Sequence, residues 1–90
     1  MGQLYRMNVN PVFAIRSAWH TRTDGKTQEK IIQFTIAYIE ALVGRTLSGT
    51  PHMRVRREIE RILDLGLEKG WTADDFVKYT HACVAGVYTW

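Results

Sequence analysis

The chain has 90 residues, 46% of them hydrophobic and 23% charged, and a formal net charge of +3. This composition excludes wholesale disorder, and the length suffices for one domain with a small core. The single cysteine excludes an intrachain disulfide. The opening MGQLYRMNVNPVF holds no apolar run typical of a signal peptide, and no later stretch is apolar enough to span a bilayer. We therefore expect a cytoplasmic protein with no membrane partner.

Residues 11–21 form the first predicted helix. Asn10-Pro11 is a helix start signal, and the apolar residues that follow recur at helical spacing as far as Trp19. Alternate apolar residues in the same stretch also fit a strand. Both interpretations stay open from the sequence, and the helix is the one we predict.

The second predicted helix covers residues 27–43, TQEKIIQFTIAYIEALV. One face of this segment is apolar except for a single threonine, and it consists of Ile31, Ile32, Thr35, Ile36, Ile39, Leu42 and Val43. A β-hairpin that turns at Asp24-Gly25 is the rival interpretation, but its strand pairing builds no apolar face. We predict the helix, ended by Gly44.

The third predicted helix covers residues 51–69. Thr50 is placed to cap it, and Pro51 suits the first helical position because the missing N–H costs nothing there. Gly70 ends the helix, and Gly66 is expected to let a neighbouring helix approach closely. The predicted core face consists of Val55, Ile59, Ile62, Leu63 and Leu67.

The fourth predicted helix covers residues 73–88 and has the clearest start signal. Thr72 and Asp75 stand at the two positions of a capping box, and Trp71 and Phe76 stand at the flanking hydrophobic positions. The predicted inner face consists of Phe76, Val77, Thr80, Cys83, Val84 and Val87. We predict an all-α fold for residues 1–90, a small single-domain bundle of three to four short helices.

The stretch GRTLSGTPHMRVRR, residues 44–57, holds four arginines and no acid: Arg45, Arg54, Arg56 and Arg57. Helical spacing offers the pairs Arg54–Glu58, Arg56–Glu60 and Arg61–Asp64, which would make the stretch an ordinary solvated surface. However, cations in the first turn oppose the helix dipole, so a sequence selected only for stability would place acids there. The alternative is a surface that contacts nucleic acid or an acidic protein.

The last twenty residues are rich in aromatic side chains, Trp71, Tyr79, Tyr88 and Trp90. They can pack within the chain, or they can form a protein interface. A short uncrosslinked chain with this many large apolar residues leads us to predict a homodimer.

No spacing indicates catalysis, a cofactor or a metal. Residues His81 and Cys83 are two apart and point to opposite sides of a helix, and neither paired cysteines nor paired histidines occur at ligand spacing. No glycine-rich phosphate loop precedes a helix. We therefore expect a protein that is not an enzyme and that binds neither cofactor nor metal.

Three segments in order, IAYIEALVGRTL, REIERILDLGLEKGW and TADDFVKY, carry a family resemblance. They resemble the conserved C-terminal domain of phage replisome-organiser proteins, relatives of the DnaD-like replication initiators. The matching positions are Gly44-Arg45, Gly70-Trp71 and Asp74 to Phe76. The resemblance implies a small helical accessory domain, of phage or mobile-element type, that contacts DNA or replication proteins.

Two functional hypotheses follow. The first is a non-enzymatic protein that binds nucleic acid or replication proteins through the basic helix start. The alternative is a protein-interaction module, or a small regulator or inhibitor, that docks on a partner or dimerises through its aromatic C-terminal helix.

Overall fold

The computed structural model describes residues 10–87, and the surroundings of side chains up to residue 84. Within that range the chain forms four α-helices, which we name α1 (Pro11–Ala18), α2 (Gly25–Val43), α3 (Gly49–Lys69) and α4 (Ala73–Val87). A 3-10 turn, Trp19–Thr21, continues α1. The described residues contain no strand, so the all-α prediction is confirmed. None of these four helices is both long and apolar enough to cross a membrane.

The helices enclose one hydrophobic core. Helix α1 lies mainly against α2, α2 packs on α3, α3 packs on α4, and α4 closes the bundle by contacting α1 and α2. Every helix contributes fully buried side chains, and the largest are Ile15, Ile31, Ile39, Ile59, Ile62 and Phe76. Thr35 and Thr80 are buried and donate to the carbonyl oxygens four residues earlier, at 2.6 and 2.7 Å, so the core formed by the described residues holds no unpaired hydroxyl.

Helix α1 begins as predicted. The Asn10 side chain accepts hydrogen bonds from the backbone N–H groups of Val12 and Phe13, at 2.9 and 3.5 Å, and Pro11 occupies the first helical position. Ile15 and Trp19 are buried on the same face. The strand interpretation of this segment is therefore wrong.

Helix α2 begins at Gly25, two residues earlier than predicted. Asp24 is the N-cap residue, and its carboxylate accepts hydrogen bonds from the backbone N–H and the hydroxyl of Thr27, both at 3.2 Å. Asp24-Gly25 therefore starts a helix and does not turn a hairpin. The predicted face is buried as far as Ile39, whereas Leu42, at 39% exposure, emerges from the core in the last turn.

Helix α3 begins at Gly49, so Thr50 lies inside its first turn and does not cap it. The preceding residue is Ser48, whose side chain makes no capping hydrogen bond. The predicted core face is otherwise correct: Val55, Ile59, Ile62 and Leu63 are buried, and Leu67 is half-buried.

Helices α2 and α3 end in the same way. Gly44 and Gly70 adopt φ angles of 75° and 69°, a left-handed conformation that costs other residues free energy. The next N–H in each case reaches back to the last turn: Arg45 donates to the Glu40 carbonyl at 3.2 Å, and Trp71 donates to the Gly66 carbonyl at 3.0 Å. Both predicted helix ends are confirmed.

Gly66 makes room for an indole ring. A Cβ atom added at this position would lie 3.0 Å from Cε3 of Trp71. The close approach that the sequence predicts at Gly66 therefore exists, but the neighbour is a side chain from the following turn and not a helix. Because residue 66 has no side chain, the Trp71 ring can pack against α3 directly after the helix ends.

The start of α4 is the predicted capping box. The Thr72 hydroxyl accepts from the Asp75 N–H and the Asp75 carboxylate accepts from the Thr72 N–H, both at 3.2 Å. Phe76 is fully buried and Trp71 packs at the edge of the same core.

Trp19 joins the first helix to the turn between α3 and α4. Its ring is 6% exposed and lies 5.1 Å from the ring of Phe76, centroid to centroid. Its indole N–H donates to the Trp71 carbonyl at 2.8 Å. One side chain thus contributes apolar packing and satisfies a backbone carbonyl 52 residues away.

Replacement of Leu63 by Asp should unfold the protein. The side chain is 2% exposed, and a buried carboxylate with no partner costs several kcal/mol, a large share of the stability of a small domain. Circular dichroism during thermal unfolding measures this effect. Met53→Asp is the matched control, because Met53 is 62% exposed and should tolerate the same change. A cooperative, unshifted transition for Leu63→Asp would contradict the packing described above.

Replacement of Trp19 by Phe should lower the free energy of unfolding by about 1–3 kcal/mol, because the partly buried Trp71 carbonyl loses its donor while most of the ring packing remains. Urea denaturation monitored by circular dichroism gives the value. The control is Phe13→Leu, since Phe13 is 66% exposed and contacts mainly solvent. An unchanged denaturation midpoint for Trp19→Phe would show that water replaces the lost donor.

Candidate functional site

The four arginines predicted to act together do not share one surface. Arg54 and Arg57 are exposed on the outer side of α3, whereas Arg56 is half-buried and turned towards α2. Arg45 is exposed in the linker between α2 and α3. The structure therefore keeps Arg54 and Arg57 as candidate contacts on α3 and assigns Arg56 a different role.

Arg56 holds α3 against α2. Its two terminal nitrogens donate to both carboxylate oxygens of Glu29, at 2.9 and 2.5 Å, and its Nε atom lies 3.3 Å from the Glu60 carboxylate. The hydrogen bonds from Arg56 lower the pKa of Glu29, and the Glu29 carboxylate raises the pKa of Arg56. The predicted Arg56–Glu60 pair exists, but the bidentate pair with Glu29 is the main one.

Arg54 and Arg57 are exposed, and their charges are not paired with a carboxylate of the described residues. Among residues 10–87, neither lies within ion-pair distance of a carboxylate. Glu58, the predicted partner of Arg54, instead accepts a 2.5 Å hydrogen bond from Arg61, which lowers the pKa of Glu58. The predicted Arg54–Glu58 and Arg61–Asp64 pairs are therefore not formed. Since positions 54, 57 and 61 follow helical spacing, these three cations line one exposed side of α3.

The linker that carries Arg45 is tied down at one point. Leu47 is buried, and its backbone N–H donates to the Glu40 carboxylate at 2.9 Å. This contact fixes the direction in which the chain enters α3. Arg45 itself points into solvent, and no carboxylate of the described residues pairs with it.

The start of α3 differs electrostatically from the other helix starts. Asn10, Asp24 and Thr72 cap the other three helices through their side chains, and α4 adds two acids in its first turn. Helix α3 has no such capping bond and no acid in its first turn. The positive end of the α3 dipole is therefore not compensated locally, and Arg54 and Arg57 lie beyond the first turn, at the sixth and ninth helical positions.

Two of the four aromatic residues predicted to form an interface, Trp71 and Tyr79, lie among the described residues. Trp71 is half-buried against Gly66, and its ring lies 4.9 Å from that of Tyr79, which is 38% exposed. These two side chains therefore pack on each other within the chain. Tyr88 and Trp90 lie outside the described residues, and both the interface and the homodimer stay predictions.

The residues considered as metal ligands are dispersed. His20, His52 and His81 lie on three different helical segments, and Cys83 is half-buried with a free thiol. No group of three or more His, Cys, Asp or Glu side chains within residues 10–87 is arranged to hold a metal ion. The His81 ring lies 6.4 Å from the ring of Tyr38, and burial raises the pKa of that tyrosine.

Comparison with known proteins adds no assignment. No protein-family model, curated protein or solved structure matches this chain.

Glu29 is the site residue that sequence reasoning missed. It lies 27 positions before Arg56, so helical spacing within one element cannot reveal the pair. The available signal is weak: an acid beside the apolar face of one predicted helix and a cation beside the core face of another.

Replacement of Glu29 by Gln tests the α2–α3 pair through its pH dependence. The folded-state pKa of Glu29 is lowered, so its stabilisation is fully present above the ordinary value of 4.5 and is lost as the pH falls through the folded-state pKa. We expect the variant to lose up to about 1 kcal/mol at pH 7, because the carboxylate is nearly half exposed.

The measurement is the free energy of unfolding by urea at several pH values from 7 to 2. The difference between wild-type and Glu29→Gln should shrink at acidic pH. Glu68→Gln, at an exposed position with no ion pair among the described residues, is the control. A difference that persists unchanged at the lowest pH would assign the loss to packing and not to charge.

Proposed function

We propose that this protein is a small, non-enzymatic accessory protein that binds nucleic acid through the exposed arginines of α3 and the preceding linker. The observation that carries the proposal is the separation of roles among the four arginines. Arg56 is bound to Glu29 of α2. Arg45, Arg54 and Arg57 are exposed and have no carboxylate partner among the described residues.

Physical chemistry favours a phosphate backbone as the partner of this surface. Each exposed arginine that meets a phosphate releases condensed counterions, which is the main source of affinity in non-specific binding to nucleic acid. Guanidinium groups donate two parallel N–H bonds to phosphate oxygens. The uncapped start of α3 adds backbone N–H groups and a positive dipole end on the same helix.

The resemblance to phage replisome-organiser C-terminal domains points in the same direction. The segments that carry it include the end of α2, the linker with Arg45, most of α3 and the start of α4. Replication proteins are the natural second class of partner for such a domain. The second partner that we propose is therefore an acidic surface of a replication protein, which the same three arginines would bind.

The alternative function is docking through apolar side chains. Its support is the exposure of Phe13 at 66% and Tyr79 at 38%, on helices that pack in a small core. Salt separates the two proposals, because charge-driven binding weakens steeply with ionic strength, whereas apolar docking changes little.

The double variant Arg54→Gln/Arg57→Gln should weaken binding to duplex and single-stranded DNA. If each arginine contacts one phosphate, the magnitude of the slope of log K against log salt should fall, for each arginine removed, by about 0.9 on duplex DNA and by about 0.7 on single-stranded DNA. Fluorescence anisotropy with labelled oligonucleotides from ~50 to ~200 mM salt provides the slopes.

Arg56→Gln is the matched control, since each substitution removes one positive charge. It should reduce stability more than Arg54→Gln and the salt slope less. Equal slopes for Arg54→Gln and Arg56→Gln would show that net charge alone governs binding. Wild-type protein that binds no DNA at ~50 mM salt would end the nucleic-acid proposal, and salt-independent capture of a protein partner would favour apolar docking.

A further inference from the structure

A groove lies between the end of α1 and the turn that joins α3 to α4. Its volume is about 410 Å³. Its walls come from residues 16–22 on one side and from residues 70–74 on the other. It is distant in sequence from the basic surface of α3, and its lining shares no residue with that surface. Its polar and charged lining includes Arg16, His20, Arg22 and Asp74, and Trp19 and Trp71 line it as well.

Arg22 is held in place before any ligand arrives. One terminal nitrogen donates to the Trp19 carbonyl at 2.9 Å, and the guanidinium carbon lies 5.5 Å from the centroid of the Trp19 ring. The backbone carbonyl of Arg22 also accepts a hydrogen bond from the Gln28 side chain at 2.9 Å. The remaining guanidinium N–H groups have no acceptor among the described residues.

Arg16 lies on the same wall as Arg22 and is positioned by a side chain of the facing wall. Its Nε atom donates to the Asp74 carboxylate at 2.8 Å, which leaves both terminal nitrogens without a protein acceptor among residues 10–87. The groove therefore offers donors from two guanidinium groups whose side chains are already ordered. Prior ordering reduces the entropy that a ligand must overcome on binding.

The charge balance of the groove selects the ligand. Two arginines against one aspartate leave a net charge of +1. Arginine N–H groups in excess of the available carboxylate oxygens fit an oxyanion with several acceptors. Phosphate presents more acceptor oxygens than a carboxylate, which suits two arginines that line the same wall of the groove.

We infer that this groove is a phosphate-binding site, held open by Trp19 and the Trp71 turn, with Arg16 and Arg22 as the two ligating side chains. Asp74 is its positioning residue, because it orients Arg16 through Nε while its charge opposes the anion. This inference does not depend on the function proposed for α3.

The test is a titration of the ¹⁵N-labelled protein with inorganic phosphate at constant ionic strength, observed by NMR. The indole N–H of Trp19 and the backbone N–H groups of residues 70–74 report on the groove. We expect saturable shifts confined to these groups and to residues 16–22. Arg16→Gln and Arg22→Gln should each weaken binding roughly 3- to 10-fold, because one charge-assisted contact is lost at a partly exposed site.

Asp74→Asn separates a ligand site from a structural ion pair. Asparagine keeps an acceptor for Arg16 but removes the negative charge, so phosphate should bind a few-fold more tightly, by about 5-fold at a contact distance in water. Arg57→Gln is the control, since it lowers the net charge as Arg16→Gln does but lies away from the groove, and it should leave the titration unchanged.

Three results would overturn the inference. The first is the absence of saturable shifts up to ~50 mM phosphate, and the second is an Arg16→Gln titration identical to that of the wild-type protein. The third is equal binding of acetate and phosphate, which would assign the groove to carboxylates. If Arg22→Gln proves unfolded, Arg16→Gln and Asp74→Asn still decide the question.

Discussion

The hydrogen bond from the Trp19 indole to the Trp71 carbonyl is the contact on which the closed bundle depends. A short helix such as α1 has little stability of its own, because the cost of nucleating it is shared by few residues. Trp19 provides the apolar surface that packs α1 against Phe76. Its indole N–H donates to the carbonyl of Trp71, in the turn that follows α3. Without that bond, the turn that positions α4 would leave a partly buried acceptor unpaired.

The Trp71 turn in turn depends on the absence of a side chain at Gly66. The indole of Trp71 lies where a Cβ atom of residue 66 would approach it to 3.0 Å. Gly70 supplies the left-handed conformation that brings Trp71 back over the helix. Two glycines and two tryptophans therefore shape the path between α3 and α4, and three of these residues, Trp19, Gly70 and Trp71, also line the groove that contains Arg16 and Arg22.

Charge has two separate uses in this protein. Arg56 pairs with both Glu29 and Glu60 at the junction of α2 and α3, where its bonds join two long helices. Arg54 and Arg57 are close to Arg56 in sequence but face away from that junction. Because an α-helix turns by 100° for each residue, neighbours in a basic run necessarily point to different surroundings. A count of positive charges therefore overstates the size of the binding surface.

The sequence by itself determined the all-α class, a bundle of three to four helices and most of the helix ends. Those features rest on local physics: a capping side chain at Asn10 and at Thr72, a left-handed glycine after α2 and after α3, and apolar residues at helical spacing. Where the local signals are ambiguous, the observed helix start differs from the predicted one: α2 and α3 each begin two residues earlier than predicted. Asp24, considered as part of a hairpin turn, instead capped α2, and Thr50 lay within the first turn of α3.

Only the tertiary structure decided which charged and aromatic side chains are available to a partner. The bond between Glu29 and Arg56 joins residues 27 positions apart, and that between Trp19 and Trp71 spans 52. Neither follows from the spacing within one helix, because each requires two helices to be placed side by side by the core. The separation of Arg56 from Arg54 and Arg57, the pairing of Trp71 with Tyr79, and the groove above Trp19 all arise from that placement, which local sequence patterns do not encode.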